Sequence, residues 1–312
     1  MIFLVRLMAV LALSLLGVAA VYGIHAAFKY TRMIARIFLG LVYDPPAEES
    51  MEPSRGQEIT ILDSADREIG ALFVEEKGAK GLVIFCPESG AGKESWEKYG
   101  YFLPELGFRV LSIDFNNDAA KSDRNEFFQW PTTSDTDRLM SAVRWAKKVC
   151  PSGTPIFLFG VSKGADIALA ASFRDASIKG IVADGLFSMK EIFRDYIRKW
   201  APMLVKPNFF GSKTPEWIVG IFASLGFWYS QRSSGTQFID VENLLKKKHA
   251  PLLMIYGRKD SYVPALHQDY LQKVSRAGSL KKFIVDSAGH NEAVVKDRSS
   301  YEKAISDFIS KS

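Results

Sequence analysis

Cysteine and histidine are scarce in this chain of 312 residues. Two cysteines, Cys86 and Cys150, with no C-x-x-C pair, exclude a disulfide framework and any cysteine-based metal site. Buried or incidental free thiols are the reading, and they fit a reducing compartment. The histidines number four: His25, His249, His267 and His290. Acid is missing from the first 43 residues, which hold Arg6, Lys29, Arg32 and Arg36. The remainder carries 36 basic against 35 acidic residues, close to neutral, which argues against a nucleic-acid surface. No internal repeat and no low-complexity tract occurs. A 47% hydrophobic content at this length suffices for one sizeable core, with or without a subdomain.

Charge is also missing from Leu7 to Phe28. These 22 residues span about 33 Å as a helix, enough for a bilayer core of about 30 Å. Val18-Ala19-Ala20 could serve as a signal-cleavage site, but the apolar run continues past it, which favours an uncleaved anchor. Lys29, Arg32 and Arg36 follow the span and only Arg6 precedes it, so the positive-inside tendency places the C-terminal part in the cytoplasm. The alternative is a secreted or periplasmic protein after signal cleavage. Met33 to Tyr43 either lies along the membrane surface or packs on the domain. Residues 1–43 thus form an anchor with a basic flank, and the polar, Pro-rich residues 44–57 a linker.

From Glu58 the pattern alternates. Ile59–Leu62 and Ile69–Val74 read as a hairpin across Asp63-Ser64-Ala65-Asp66. Further strands are expected at Leu82–Cys86, Arg109–Asp114, Ile156–Gly160, Lys179–Asp184, Leu252–Tyr256 and Lys281–Val285. Helices are expected at Ser95–Leu106, Thr132–Val149, after Gly164, Ala265–Arg276 and Ser300–Ser310. Strands alternating with helices imply an α/β architecture: a mostly parallel sheet of eight strands, covered on both faces. Between Leu186 and Phe238 lie twelve aromatic residues, among them Phe193, Trp200, Phe209, Phe210, Trp217 and Trp228. That stretch is too long for a connection. It reads as a helical insertion, about 186–250, either a lid with an apolar pocket or a small core holding itself together.

The organising stretch is Ile156-Phe157-Leu158-Phe159-Gly160-Val161-Ser162-Lys163-Gly164-Ala165-Asp166. An apolar strand runs straight into a helix of small residues through Gly160-x-Ser162-x-Gly164. A turn that sharp strains the backbone at its apex, and larger side chains two residues either side would clash. A nucleophilic Ser162 needs a base. His25 lies in the apolar span, His267 inside a helix and His249 at a strand start. His290, in Gly289-His290-Asn291 after the last strand, sits at the same sheet edge as Ser162. Asp260, in Gly257-Arg258-Lys259-Asp260 after Leu252–Tyr256, projects from that edge as the acid that orients the histidine. Asp184 is the alternative acid. Gly90-Ala91-Gly92-Lys93 is not a phosphate loop: Pro87 occupies the position of its first glycine, and Glu94 follows the lysine.

The elbow, Gly257-x-x-Asp260-x-x-Val263-Pro264, Gly289-His290 and Leu106-Gly107-Phe108-Arg109-Val110-Leu111-Ser112-Ile113-Asp114 together resemble the α/β-hydrolase fold over Glu58 to Ser312. The anchor and Asp184-Gly185-Leu186-Phe187 look like the membrane-anchored branch that includes Bem46-like and ABHD13-like hydrolases. The resemblance implies the Ser162-Asp260-His290 order of the family. It further implies an oxyanion hole from the backbone N–H groups of Lys163 and Glu88. Relatives carry His-Gly where this chain has Cys86-Pro87, and a carboxylate at Glu88 must turn away from a developing oxyanion. Asn116 to Ser122 replaces the usual Arg-Gly-x-Gly loop. The expected function is hydrolysis of a carboxylic ester or thioester, with an acyl-lipid as one substrate class, and no metal or cofactor. The alternatives are a serine peptidase of the same fold and a membrane-tethered binding module without activity.

Overall fold

The computed structural model describes residues 2–40, 55–115, 129–205, 211, 213–277 and 279–311. Two compact units emerge, one of Met1–Leu41 with Lys190–Gly235, the other of Val42–Met189 with Thr236–Ser312.

The larger unit is built on an eight-stranded sheet. Its strands are β1 (Gln57–Leu62), β2 (Glu68–Val74), β3 (Gly81–Cys86), β4 (Phe108–Ile113), β5 (Ile156–Val161), β6 (Ile178–Asp184), β8 (Leu252–Gly257) and β10 (Leu280–Val285). Two short strands, β7 (Lys248–His249) and β9 (Arg276–Ala277), pair with each other outside it. The spatial order is β1-β2-β4-β3-β5-β6-β8-β10. Every pair from β4 to β10 is parallel, while β1–β2 and β2–β4 are antiparallel. This is the mostly parallel α/β sheet that the sequence pattern predicts, with each strand within two residues of its expected bounds.

Side chains alternate between two cores, as a period of two requires. Leu82, Ile84 and Leu158 enter one, against Leu139, Val143 and Ile167. Val83, Phe85 and Phe159 enter the other, against Trp96, Tyr99, Tyr301 and Phe308. Burial on both faces explains why β3 and β5 are unbroken apolar runs. The hairpin turn is set by Asp63, whose Oδ1 accepts from the N–H groups of Ala65 (2.7 Å) and Arg67 (3.0 Å).

Three expected elements differ. The helix predicted over Ser95–Leu106 is only α2 (Trp96–Gly100), preceded by a 3-10 turn at Lys93–Ser95. Pro104 cannot continue an interior helix, and Gly107 is left-handed at φ 83°. Helix Ala265–Val274 stops short of Arg276, which pairs in β9. The last helix begins earlier, at Arg298, because the Asp297 carboxylate accepts from Ser300 N–H and caps it.

In the smaller unit, α1 (Ile2–Leu39) is one continuous helix of 38 residues. It is long and apolar enough to cross a membrane, a test that a signal sequence also passes. Met33 to Leu39 continues it rather than forming a separate surface segment, and Ala35 and Phe38 are buried. Phe38 stacks on Phe193 of α5 (Met189–Leu204), with ring centroids 3.7 Å apart. Phe193 meets Phe227 of α6 (Glu216–Ser234) edge-on at 6.4 Å. Of the expected insertion, only Lys190–Gly235 joins this unit, and its flanks belong with the sheet. Residues 44–54, the Asn116–Ser122 loop, Phe209 and Phe210 lie outside the described residues.

Candidate active site

Strand β5 ends at Val161 and α4 (Lys163–Ser172) begins at Lys163, leaving Ser162 alone to make the turn. It adopts φ 50°, ψ −115°, outside the regions that L-residues ordinarily occupy. Tertiary contacts hold it there. Ser162 N–H donates to Asp184 O at 2.7 Å, and Ala165 N–H to Ser162 O at 2.9 Å. The flanking glycines are demanded by contact distance: a Cβ on Gly160 would lie 2.2 Å from Gly164 O, and one on Gly164 would lie 2.0 Å from Cys86 O. The end of β3 therefore presses on the start of α4, which sets residues 86–88 beside Lys163.

The other two predicted residues arrive from the carboxyl ends of β8 and β10. Ser162 Oγ lies 2.9 Å from His290 Nε2, and His290 Nδ1 lies 2.7 Å from Asp260 Oδ2. Asp260 Oδ1 also accepts from the N–H groups of Tyr262 (2.8 Å) and Val263 (2.7 Å), so this buried carboxylate has no rotational freedom. Its loop is fastened to the histidine loop. Arg258 N–H donates to Val285 O and Lys259 N–H to Ala288 O, at 3.0 and 2.9 Å. Gly257 fits between them only because a Cβ there would meet Ala288 O at 2.3 Å. Tyr262 leans on the imidazole, with ring centroids 5.5 Å apart.

Asp184, the alternative acid, is 1% exposed and takes a hydrogen bond from Tyr301 OH at 2.9 Å. Burial pushes its carboxyl up to about 7, against a lowering by Tyr301 and by nearby His290, and Glu88 and Asp260 add to the rise. Its carboxylate thus pairs with a tyrosine, while His290 Nδ1 is held by Asp260. The carboxylate of Glu88 is buried and held by Tyr99 OH at 2.7 Å, with Lys98 Nζ at 3.8 Å.

Three buried ionisable side chains here carry no signal in the sequence pattern. The side chain of Lys163, next to Ser162, forms an ion pair with Asp135 at 3.3 Å, with both nearly out of solvent. Asp135 is in turn the capping-box residue of α3 (Thr133–Val149), taking hydrogen bonds from Thr132. Asp166, one turn into α4, is fully buried, accepts from Phe187 N–H at 3.1 Å, and is pushed well above the usual carboxylate range by that burial. A lysine or aspartate in the first turn of a helix looks like an ordinary surface residue, so only the fold exposes these roles. His249 and His267 are buried elsewhere. Cys86 and Cys150 are free and buried, and burial raises both thiols. Among the described residues no group of three His, Cys, Asp or Glu side chains is arranged to hold a metal.

Sheet order and the strained serine turn are those of the α/β-hydrolase fold. Solved structures share it. An esterase of Pyrococcus furiosus, Pf2001, superposes with TM-score 0.62 at 20% identity, over 87% of this chain and 97% of its own. The α/β hydrolase GrgF from Penicillium sp. sh18 gives TM-score 0.59 at 16% identity, over 82% and 98%. Esterase EaEST from Exiguobacterium antarcticum gives 0.55 at 16%, over 81% and 100%. No protein-family model and no curated protein matches the chain.

Proposed function

We propose that this protein is a serine hydrolase that cleaves a carboxylic ester or thioester through an acyl-enzyme. The observation that carries the reading is the unbroken relay from Ser162 Oγ to His290 (2.9 Å) and on to Asp260 (2.7 Å), at a strained turn. In the proposed reaction His290 Nε2 takes the Ser162 proton as Oγ attacks the carbonyl carbon. The N–H groups of Lys163 and Glu88 receive the oxyanion. His290, held by Asp260, then passes its proton to the leaving alcohol or thiol. Water, activated by the same imidazole, releases the acid and restores Ser162. Held by Tyr99, the Glu88 carboxylate is occupied elsewhere, which answers the objection that it would oppose the oxyanion. Esterases and hydrolases among the structural neighbours support the class. The Bem46-like and ABHD13-like placement and an acyl-lipid substrate belong to the same proposal.

We further assign residues 1–43 as a single-pass anchor, 44–57 as a linker and 58–312 as the hydrolase domain with a cap at about 186–250. The catalytic part then faces the cytoplasm. Fluorophosphonate labelling of the full chain tests the chemistry: wild type is expected to label and Ser162→Ala to stay unlabelled. Folded wild type that does not label overturns the hydrolase reading and leaves the binding module. An ester panel of rising acyl length, run beside short peptides, separates lipid, short-ester and peptidase preferences.

A further inference from the structure

Within the helical unit, α1, α5 and the start of α6 line a half-open cavity of about 650 Å³. This volume falls in the ~300–1,000 Å³ range of ligand sites. From α1 the lining takes Gly23, Ala26, Tyr30, Ile34 and Ile37, spaced at three and four residues and hence on one helix face, with Tyr22 beside them. Opposite them stand Phe193, Ile197 and Trp200 of α5.

Three features fix the kind of occupant. The lining is almost wholly hydrocarbon and aromatic, with Lys213 the one charged residue on it among the described residues. Water in such a space would find few partners. The lining runs the length of α1 from Tyr22 to Phe38, about 24 Å of helix, so the cavity follows the helix as an extended acyl chain would. Lastly, Tyr22, Gly23 and Ala26 belong to the charge-free run Leu7–Phe28, the part of α1 fit to lie in bilayer hydrocarbon. At that end Gly23 and Ala26 leave the wall low beside Tyr22, and a Cβ added to Gly23 would meet nothing within 4 Å.

We propose that this cavity holds one acyl chain of a bilayer lipid, which enters beside Gly23 and Ala26 and lies along α1. Nothing in this inference depends on Ser162 chemistry, so the test uses the full chain carrying Ser162→Ala, which keeps bound lipid intact. The protein is placed in phosphatidylcholine nanodiscs without detergent, then released and weighed by native mass spectrometry. One retained phosphatidylcholine per chain is expected. Ala26→Leu with Ile34→Trp fills the cavity and should lower retention at least tenfold. Gly23→Leu, whose Cβ has open space, should lower it several-fold even if the double variant fails to fold. Trp228→Ser, on the exposed side of α6, should leave retention unchanged. No retained lipid, equal retention in the folded filled variants, or an equal loss with Trp228→Ser would each overturn the proposal.

Discussion

The serine turn and the cavity-bearing helical unit are opposite solutions to packing. At the turn, backbone meets backbone: Gly160 against Gly164, Gly164 against Cys86, Gly257 against Ala288. No side chain can be added there. In the helical unit, side chains meet side chains around a half-open cavity, Gly23 has open space, and Trp217 and Trp228 are exposed. Where geometry is fixed by backbone contact, the sequence is constrained residue by residue. Where it is fixed by apolar surface, composition is enough. The difference teaches where substitutions should matter.

The largest expected effect is on chemistry at the turn. Ser162→Ala should lower ester turnover by on the order of 10⁶-fold, measured as kcat on an activated ester, with the melting temperature little changed. Asp260→Asn should cost on the order of 10⁴-fold, because the wrong histidine tautomer is then favoured. A loss under tenfold would shift the acid role towards Asp184. Gly164→Ala tests the backbone contact itself. Its Cβ would sit 2.0 Å from Cys86 O, so a cost above about 3 kcal/mol and loss of soluble protein are expected. Gly23→Ala is the counterpart in the helical unit and should gain stability slightly, up to about 1 kcal/mol. Equal sensitivity at the two glycines would break the comparison.

A subtler effect concerns pH. The Asp184 carboxyl is raised to about 7 in the folded protein from 3.8, so the native state binds more protons than the unfolded chain between those values. Stability from this group is therefore full below about pH 4 and lost as pH rises towards 7, by an amount on the order of 4 kcal/mol. Asp184→Asn, which keeps a partner for Tyr301, should flatten that slope in urea melts taken from pH 5 to 8. An unchanged slope would mean that another buried acid, such as Asp166, dominates.

How much of this was legible in the sequence depends on the same contrast. The sheet was readable because both its faces are buried, which turns β3 and β5 into unbroken apolar runs between glycines and polar turns. The trio Ser162, Asp260 and His290 was readable because each follows a strand and so must emerge at one edge. The reach of α2 was not, since apolar residues as far as Leu106 fit helical spacing, and Pro104 and Gly107 override it. Nor were the burial of Lys163 with Asp135 and the Tyr99 hold on Glu88. Each joins residues distant in the chain, through contacts that no local period records. The insertion announced itself only by its aromatics, which cannot say whether Phe193 faces inward and Trp217 outward.

The bonds that tie the Asp260 loop to the His290 loop have a mechanical consequence. Arg258 to Val285 and Lys259 to Ala288 tie the loops of Asp260 and His290 into one piece, carried by neighbouring parallel strands. Thermal drift of that piece moves Asp260 and His290 together and spares the 2.7 Å contact between them. The slack collects instead in the 2.9 Å gap to Ser162, which belongs to a different strand. Warming should therefore loosen the Ser162–His290 contact, and with it the proposed proton transfer, before it loosens the orientation of the imidazole.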